Sequence, residues 1–451
     1  MRAVVFALLL AVCCTVVLAK YTPKPGLPYG FDSLTGGWGP ENVTQRSGYI
    51  SVNKKVDNGG HLFFWMFESR VNPSTAPVIL WMTGGPGCSS ELAIMYENGP
   101  YRVDTNLNVT LNAFAWNAFA NIIFVDQPVG TGFSYADHPD DYTHNEEQVA
   151  EDMYEFLQTF MTTYTQYANL PFYVTGESYA GHYVPSVSSR IIQGNTNKEG
   201  VMINIKGLAI GNGLVDPAVQ YYGYGPFAYD NKLITKNEWA GVRCRCVTWQ
   251  VNVTLAQCER LIGKNSGEAF QVCNSIIGTI QEEGGNFNVY DIRKPCTYQP
   301  LCYNFSPLDK LMAQKAVLSS LGVSSKAKWT SCNQQVYSDM EGDWMTNCET
   351  YIPPMLAVGM QVLVYSGQED FICNWYGGAM WSAQMQWPGQ QGFNAQAYKT
   401  WNNQQGQASG IYKTQSNFTF LGVAAAGHMV PMDQPANALD MISSWIQGTF
   451  P

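Results

Sequence analysis

Charge is scarce in this chain. Asp, Glu, Lys and Arg together make up 13% of its 451 residues, against 46% apolar types. That balance excludes a disordered tail and leaves ample material for a core. Positive charge is the rarer sign, 25 residues against 35 acidic ones, for a net charge of −10. Nucleic acid is excluded as a partner on that ground, and anionic membrane surfaces gain no support. Histidine is rarer still. There are five, which shortens the search for a general base. Internal repeats, low-complexity tracts and long linkers are also missing. The length admits one large α/β domain with an insertion, or two domains.

Only one long apolar run occurs, and it opens the chain: "MRAVVFALLLAVCCTVVLAK". Arg2 supplies a positive start, residues 3–18 are nearly all apolar, and Val17-Leu18-Ala19 offers the small residues a signal peptidase needs. The run is short for a spanning helix. Residues 1–19 are therefore expected to be a signal peptide, leaving a chain in the secretory pathway with no membrane segment. Lysosome, vacuole and secretion are not separated by any address motif. Five N-x-S/T acceptors for glycosylation fit that route: Asn42, Asn108, Asn252, Asn304 and Asn417. Asn72 is followed by Pro73 and drops out.

Twelve cysteines occur, of which Cys13 and Cys14 leave with the leader. In an oxidising lumen most of the remaining ten should be bridged. A zinc site among Cys244, Cys246, Cys258 and Cys273 is disfavoured by irregular spacing and the lack of a nearby histidine. No metal or cofactor is implied.

Short apolar runs mark the strands. "GYISV" and "LFFWMFE" flank a turn at Asp57-Asn58-Gly59-Gly60 and read as a hairpin. "APVILWM" (76–82), "ANIIFVD" (120–126), "PFYVTG" (171–176), "INIKGLAIGNG" (203–213), "MQVLVYSG" (360–367) and "NFTFLGVAAAG" (417–427) read as further strands. Val149, Met153, Phe156, Leu157, Phe160 and Met161 fall at helical spacing, and "QPANALDMISSWIQ" reads as a closing helix. Strands alternating with helices predict an α/β fold, a largely parallel sheet with helices on both faces. Between 214 and 345 the rhythm changes to tyrosines, cysteines and glycines. The expectation is a core of residues 20–213 and 346–451, with 214–345 inserted as a disulfide-bonded cap.

"TGESYAGHY" (175–183) crowds small residues around Ser178. A serine hydroxyl is a poor nucleophile until a base takes its proton. A strand that turns sharply into a helix thrusts such a serine into a cleft, and the tight turn demands small neighbours: Gly176, Ala180, Gly181. This is the nucleophile elbow of the α/β-hydrolase fold, with alanine at 180 where glycine is commoner. Elimination picks the base. His61 lies in the hairpin, His138 and His144 in an acidic loop, and His182 on the helix the serine itself opens. His428 follows a late strand, where this fold delivers its histidine after the acid. "VLVYSGQEDFICNW" offers Glu369 and Asp370 as that acid, and spacing alone leaves both open.

Four blocks together resemble the serine carboxypeptidases, the family of lysosomal and vacuolar acid carboxypeptidases: "WMTGGPGCSS" (81–90), "GESYAGHYVP" (176–185), "GQEDFICNW" (367–375) and "GHMVPMDQP" (427–435). Weaker matches are "ENGP" (97–100), "DQPVGTGFSY" (126–135) and "INIKGLAIGNGLVDP" (203–217). The resemblance implies Asp370 as the acid and the amides of Gly85 and Tyr179 as the oxyanion hole. It implies a pocket of Trp81, Thr83, Gly84, Glu97 and Glu177 for the substrate's free carboxylate, and Met429 in the leaving-residue pocket. Crowded carboxyls cannot all ionise, so Glu97 and Glu177 would hold protons and donate to an anion at acidic pH. Cys88–Cys332 and Cys296–Cys302 are the implied disulfides, with Cys373 an unpaired thiol near the site. Of the five other cysteines one must stay free, and Cys348 is the expected one. Threonine at 83 replaces the usual asparagine, and Gln368 stands where many relatives carry aspartate. The expected activity is exopeptidase cleavage of single residues from peptide or protein C-termini at acidic pH through an acyl-enzyme. The alternatives are an acyltransferase with the same triad, and a protective or binding protein with secondary catalysis. Homodimers occur in the family but have no signature in this chain.

Overall fold

Strand residues alternate between two apolar layers. Val78, Leu80 and Met82 face one layer while Ile79 and Trp81 face the other, all fully buried. A sheet with two apolar faces must be covered on both. This computed structural model describes residues 37–53, 59–235, 247–264, 266–285, 287–299 and 301–450. The expected leader, half of the hairpin turn, Cys244 and Cys246 lie outside the described residues, as does the side chain of Asn252.

The early strands are β1 (Gln45–Val52), β2 (Gly60–Phe67), β3 (Val78–Thr83), β4 (Tyr101–Val103), β5 (Val109–Leu111), β6 (Asn121–Val125) and β7 (Tyr135–Ala136). The later ones are β8 (Phe172–Glu177), β9 (Ile205–Gly211), β10 (Gln361–Gly367), β11 (Lys399–Asn402), β12 (Ala408–Gln415) and β13 (Phe418–Val423). β4 and β5 form a separate small hairpin. The others join in one sheet, ordered β1-β2-β6-β3-β8-β9-β10-β13-β12-β11, with β7 on β2. From β6 to β13 every neighbour is parallel. Antiparallel strands close both edges. This is the expected α/β-hydrolase architecture, with additions the sequence reading did not name: the short strands β4, β5 and β7 and the polar strands β11 and β12.

The helix α1 (Glu91–Tyr96) follows β3, α2 (Glu146–Thr163) precedes β8, and α3 (Ala180–Asn197) follows it. α2 starts where Asn145 accepts the Gln148 amide proton at 3.0 Å, a side-chain cap on an otherwise orphan donor. Its buried face, including Val149, Met153, Phe156 and Phe160, joins Tyr183, Val184 and Val187 of α3 in the layer against the sheet.

Between β9 and β10 the described residues add no strand to either sheet. The helices Val247–Leu261 and Ser266–Gly284 pack as a pair tied by Cys258–Cys273. The stretch from Phe305 to Leu321 is different in kind. Its Leu308, Leu311, Met312 and Val317 share the buried layer of Trp81 and Phe124, and Leu321 O accepts from Ser47 of β1 at 3.0 Å.

Candidate active site

Parallel strands send all their C-terminal ends to one edge, where open α/β sheets bind ligands. Register fixes the neighbours. Thr83 lies opposite Glu177, and Glu177 opposite Gly211, so β3, β8 and β9 stop side by side. β10 and β13 end at Gly367 and Val423, also paired. The loops leaving these five ends carry Gly84–Gly85, Ser178–Tyr179, Asn212, Asp370 and His428.

Ser178 sits between β8 and α3 with φ +68°. A non-glycine residue held there costs on the order of 1–2 kcal/mol, and the surroundings hold it firmly. Its amide donates to Gly211 O at 3.0 Å, while its carbonyl accepts from Gly181 and Leu214 at 2.9 and 3.0 Å. The crowding foreseen around the serine is real. A Cβ on Gly176 would lie 2.6 Å from that of Ala180. One on Gly84 would strike the Tyr179 amide, the Glu177 carbonyl and the Ser178 Cβ. Glycine at 84 thus lets the loop after β3 lie directly on the elbow.

That loop is stitched down. Cys88 bonds to Cys332, Ser89 N donates to Ser331 O at 2.9 Å, and Asn333 N donates to Gly87 O at 2.8 Å. The Gly85 and Tyr179 amides have no acceptor among the described residues. Two fixed, unengaged donors beside a nucleophile are what a developing oxyanion needs.

His428 is buried, and its Nδ1 lies 2.8 Å from Asp370 Oδ2. Asp370 is fully buried and also accepts from Asn212 Nδ2 at 2.8 Å. Of the two acids that spacing left open, Asp370 is the one whose carboxylate meets His428. The backbone of Glu369 instead bridges Ala426 and Ile292, through bonds of 2.8 and 3.0 Å. His428 N donates to Tyr290 O at 2.7 Å, and the Tyr290 ring stands edge-on to the imidazole at 5.2 Å. His182 is turned away, its Nδ1 on Leu214 O at 2.6 Å. Asn212 and Tyr290 were missed in the sequence. Asn212 lies at the end of a predicted strand, at the ligand-binding edge, and that position was the available signal.

A cavity of about 390 Å³ joins Ser178 and His428 to Thr83, Glu97, Glu177 and Met429. Burial pushes the Glu97 carboxyl up to about 7, against a hydrogen bond from Glu177 that pulls it down. Burial, then the neighbouring Glu97 charge, hold Glu177 well above the usual carboxylate range. Trp81 is fully buried behind this wall rather than on it. Its indole N–H donates to Thr83 Oγ1 at 3.0 Å, so the Thr83 hydroxyl proton is left to point elsewhere.

A second cavity, about 510 Å³, opens from the other side of Ser178. Cys373 lies on its wall as a free, buried thiol. Burial and the nearby Asp370 charge push that thiol well above its usual value. Cys348 is likewise free and buried, and Cys296 is bonded to Cys302. Asn42, Asn108, Asn304 and Asn417 are exposed.

A family model described as serine carboxypeptidase matches residues 36–448. Serine carboxypeptidase-like 48 of Arabidopsis thaliana is 43% identical over 425 residues, covering 94% of this chain and 82% of the relative. Serine carboxypeptidase 3 of Hordeum vulgare is 42% identical over 439 residues, 96% of this chain and 82% of that one. Among solved structures, the prohormone-processing carboxypeptidase Kex1(delta)p of Saccharomyces cerevisiae superposes with a TM-score of 0.81 at 25% identity, over 93% of this chain and 95% of that one. These likenesses do not favour the acyltransferase alternative. A primed elbow, a buried Asp–His pair and family matches along nearly the whole chain agree: the chain belongs to the serine carboxypeptidases and is a serine-type C-terminal exopeptidase.

Proposed function

We propose that the chain releases single residues from peptide and protein C-termini at acidic pH, through an acyl-enzyme on Ser178. Ser178 Oγ attacks the last peptide carbonyl while His428 takes its proton through Nε2, the ring nitrogen not engaged by Asp370. The oxyanion accepts from Gly85 and Tyr179. His428 returns the proton to the leaving amine, and water then attacks the ester with the same base. The departing residue occupies the cavity of Glu97, Glu177 and Met429. Its carboxylate accepts from the Thr83 hydroxyl, the Gly84 amide and the protonated acid pair. Residues 214–345 act as the cap over this cleft. The chain enters the secretory pathway and ends in a lysosome or vacuole, or outside the cell. Loss of mass on enzymatic deglycosylation of protein expressed in a secreting host tests that route.

One observation carries the catalytic reading: a single cavity joins the nucleophile and its histidine to two buried carboxyls held above their ordinary range. The test compares a blocked dipeptide bearing a free C-terminus with its C-terminal amide, from about pH 4 to about pH 8, with Ser178→Ala as control. Serine-dependent release from the free acid, strongest on the acid side and weak with the amide, is the expected result. Equal cleavage of both substrates at every pH would sink the carboxylate-recognition part.

A further inference from the structure

The second cavity has a chemistry of its own. Ser178, Gly85 and Tyr179 stand at one end, and Tyr221, Phe270, Tyr337 and Trp344 supply aromatic walls. The Trp344 ring meets Phe270 at 5.2 Å and Tyr337 at 5.5 Å. Two of the hydroxyls on these walls are satisfied internally. Tyr221 Oη donates to Asn274 Oδ1 at 2.6 Å and accepts from Trp344 Nε1 at 3.1 Å. Tyr224 Oη donates to Ile372 O at 2.7 Å.

Glu341 differs from them in carrying a charge. Among the described residues it is the one lining residue with a formal charge. It is half-buried, and its carboxylate has neither an ion pair nor a hydrogen bond among the described residues. Among the described residues, no lysine or arginine lines the cavity. Glu282 and Glu283, exposed on the helix that carries Phe270, add charge of the same sign. A partly desolvated, unpaired carboxylate beyond aromatic faces fits one kind of side chain: a long apolar stem ending in a cation. The stem lies on the rings, the cation is drawn to their faces, and Glu341 supplies the counter-charge.

We propose that this cavity receives the side chain of the penultimate residue of the substrate, and that Glu341 selects lysine or arginine there. The inference rests on the carboxypeptidase reading, which assigns the other cavity to the departing residue. The acyl-side residue then enters this cavity, which also reaches Ser178.

The experiment measures kcat/KM for blocked dipeptides ending in phenylalanine, with lysine, its neutral near-isostere norleucine, or glutamate in the preceding position. The full-length protein prefers lysine to norleucine by about fivefold, the size of a half-exposed ion pair, and disfavours glutamate. In Glu341→Gln the lysine-to-norleucine ratio falls to about one. A second readout needs no variant: in the native protein the ratio shrinks as salt is raised, because ions screen an exposed pair. Release of phenylalanine from all three peptides with a ratio near one, or a ratio unmoved by both Glu341→Gln and salt, overturns this inference and leaves the carboxypeptidase reading standing. No release from any peptide overturns both.

Discussion

Replacing both Glu97 and Glu177 by glutamine tests why this site should work in acid. Glutamine keeps the shape of a protonated glutamate and can still donate a hydrogen bond, but it never ionises. In the native protein the pair is buried, and Glu97 is pushed up to about 7. One unit above that value only about one Glu97 in eleven keeps its proton. If the protonated pair is the form that binds a carboxylate, KM for a free-acid peptide rises about tenfold by about pH 8, equivalent to about 1.4 kcal/mol.

In the double variant this rise flattens. KM for the free acid changes less than about twofold from pH 6 to 8, while kcat keeps its dependence on the histidine. A C-terminal amide carries no charge to repel, so its KM stays flat in both proteins. Steady-state kinetics on the matched substrates at closely spaced pH values gives every term. A tenfold rise that persists in the double variant, or one that the amide shares in the native protein, refutes the reasoning.

Further outcomes follow from particular contacts. Gly84→Ala should lower kcat by at least about 100-fold, because its methyl group forces the loop off the elbow and displaces the oxyanion donors; KM for a free-acid peptide should rise as well, since the same loop holds the carboxylate. Asn212→Ala strips one donor from buried Asp370, a loss of about 1–3 kcal/mol that should be read in kcat and in the melting temperature. Iodoacetamide, which needs a thiolate, should modify Cys373 slowly because burial holds the thiol protonated. A mercurial should block activity from the cavity wall, and Cys373→Ser should escape that block. Glu146→Gln should raise the melting temperature at neutral pH and leave it little changed in acid. Glu146 is buried against Asp343, and both factors hold its carboxyl well above the usual range. A raised folded-state value stabilises fully below the ordinary carboxyl value and is lost as pH rises.

Much of the framework was legible because strand burial is written locally. β3, β6, β8, β9, β10 and β13 are apolar runs, and only strands covered on both faces read that way. β11 and β12, "KTWN" and "ASGIYKTQ", carry no such run. They are strands because β13 offers an unpaired edge, which their own composition does not disclose. The stretch from Phe305 to Leu321, inside the expected cap, places its leucines in the buried layer of Trp81 and Phe124, a partnership its tyrosine- and cysteine-rich neighbourhood does not disclose. Asn212 shows the limit most clearly. An asparagine in "IGNG" gains its contact with Asp370 only when β9 and β10 register side by side.

Paired acids were the least legible feature beyond the family motifs, and they recur. Glu91 and Asp126 are fully buried together near the loop after β3, and burial holds both carboxyls above their ordinary range. Asp126 accepts the Ser90 and Phe133 amide protons at 2.9 and 2.7 Å, so the pair fastens that loop as well. Glu146 and Asp343 meet behind the elbow helix, where Asp343 accepts the Glu146 amide proton at 3.0 Å. Glu97 and Glu177 complete the set inside the cleft. No lysine or arginine forms an ion pair with any of these six carboxyls among the described residues. For the five that are buried, all but the half-buried Asp343, protons are the easiest route to neutrality. In sequence the six residues are widely scattered, and nothing local brings them into pairs. Once folded, the carboxyls held above their ordinary range (Glu91, Asp126, Glu146, Glu97 and Glu177) oppose ionisation, so rising pH works against the packing of the loop and the elbow as well as against carboxylate binding.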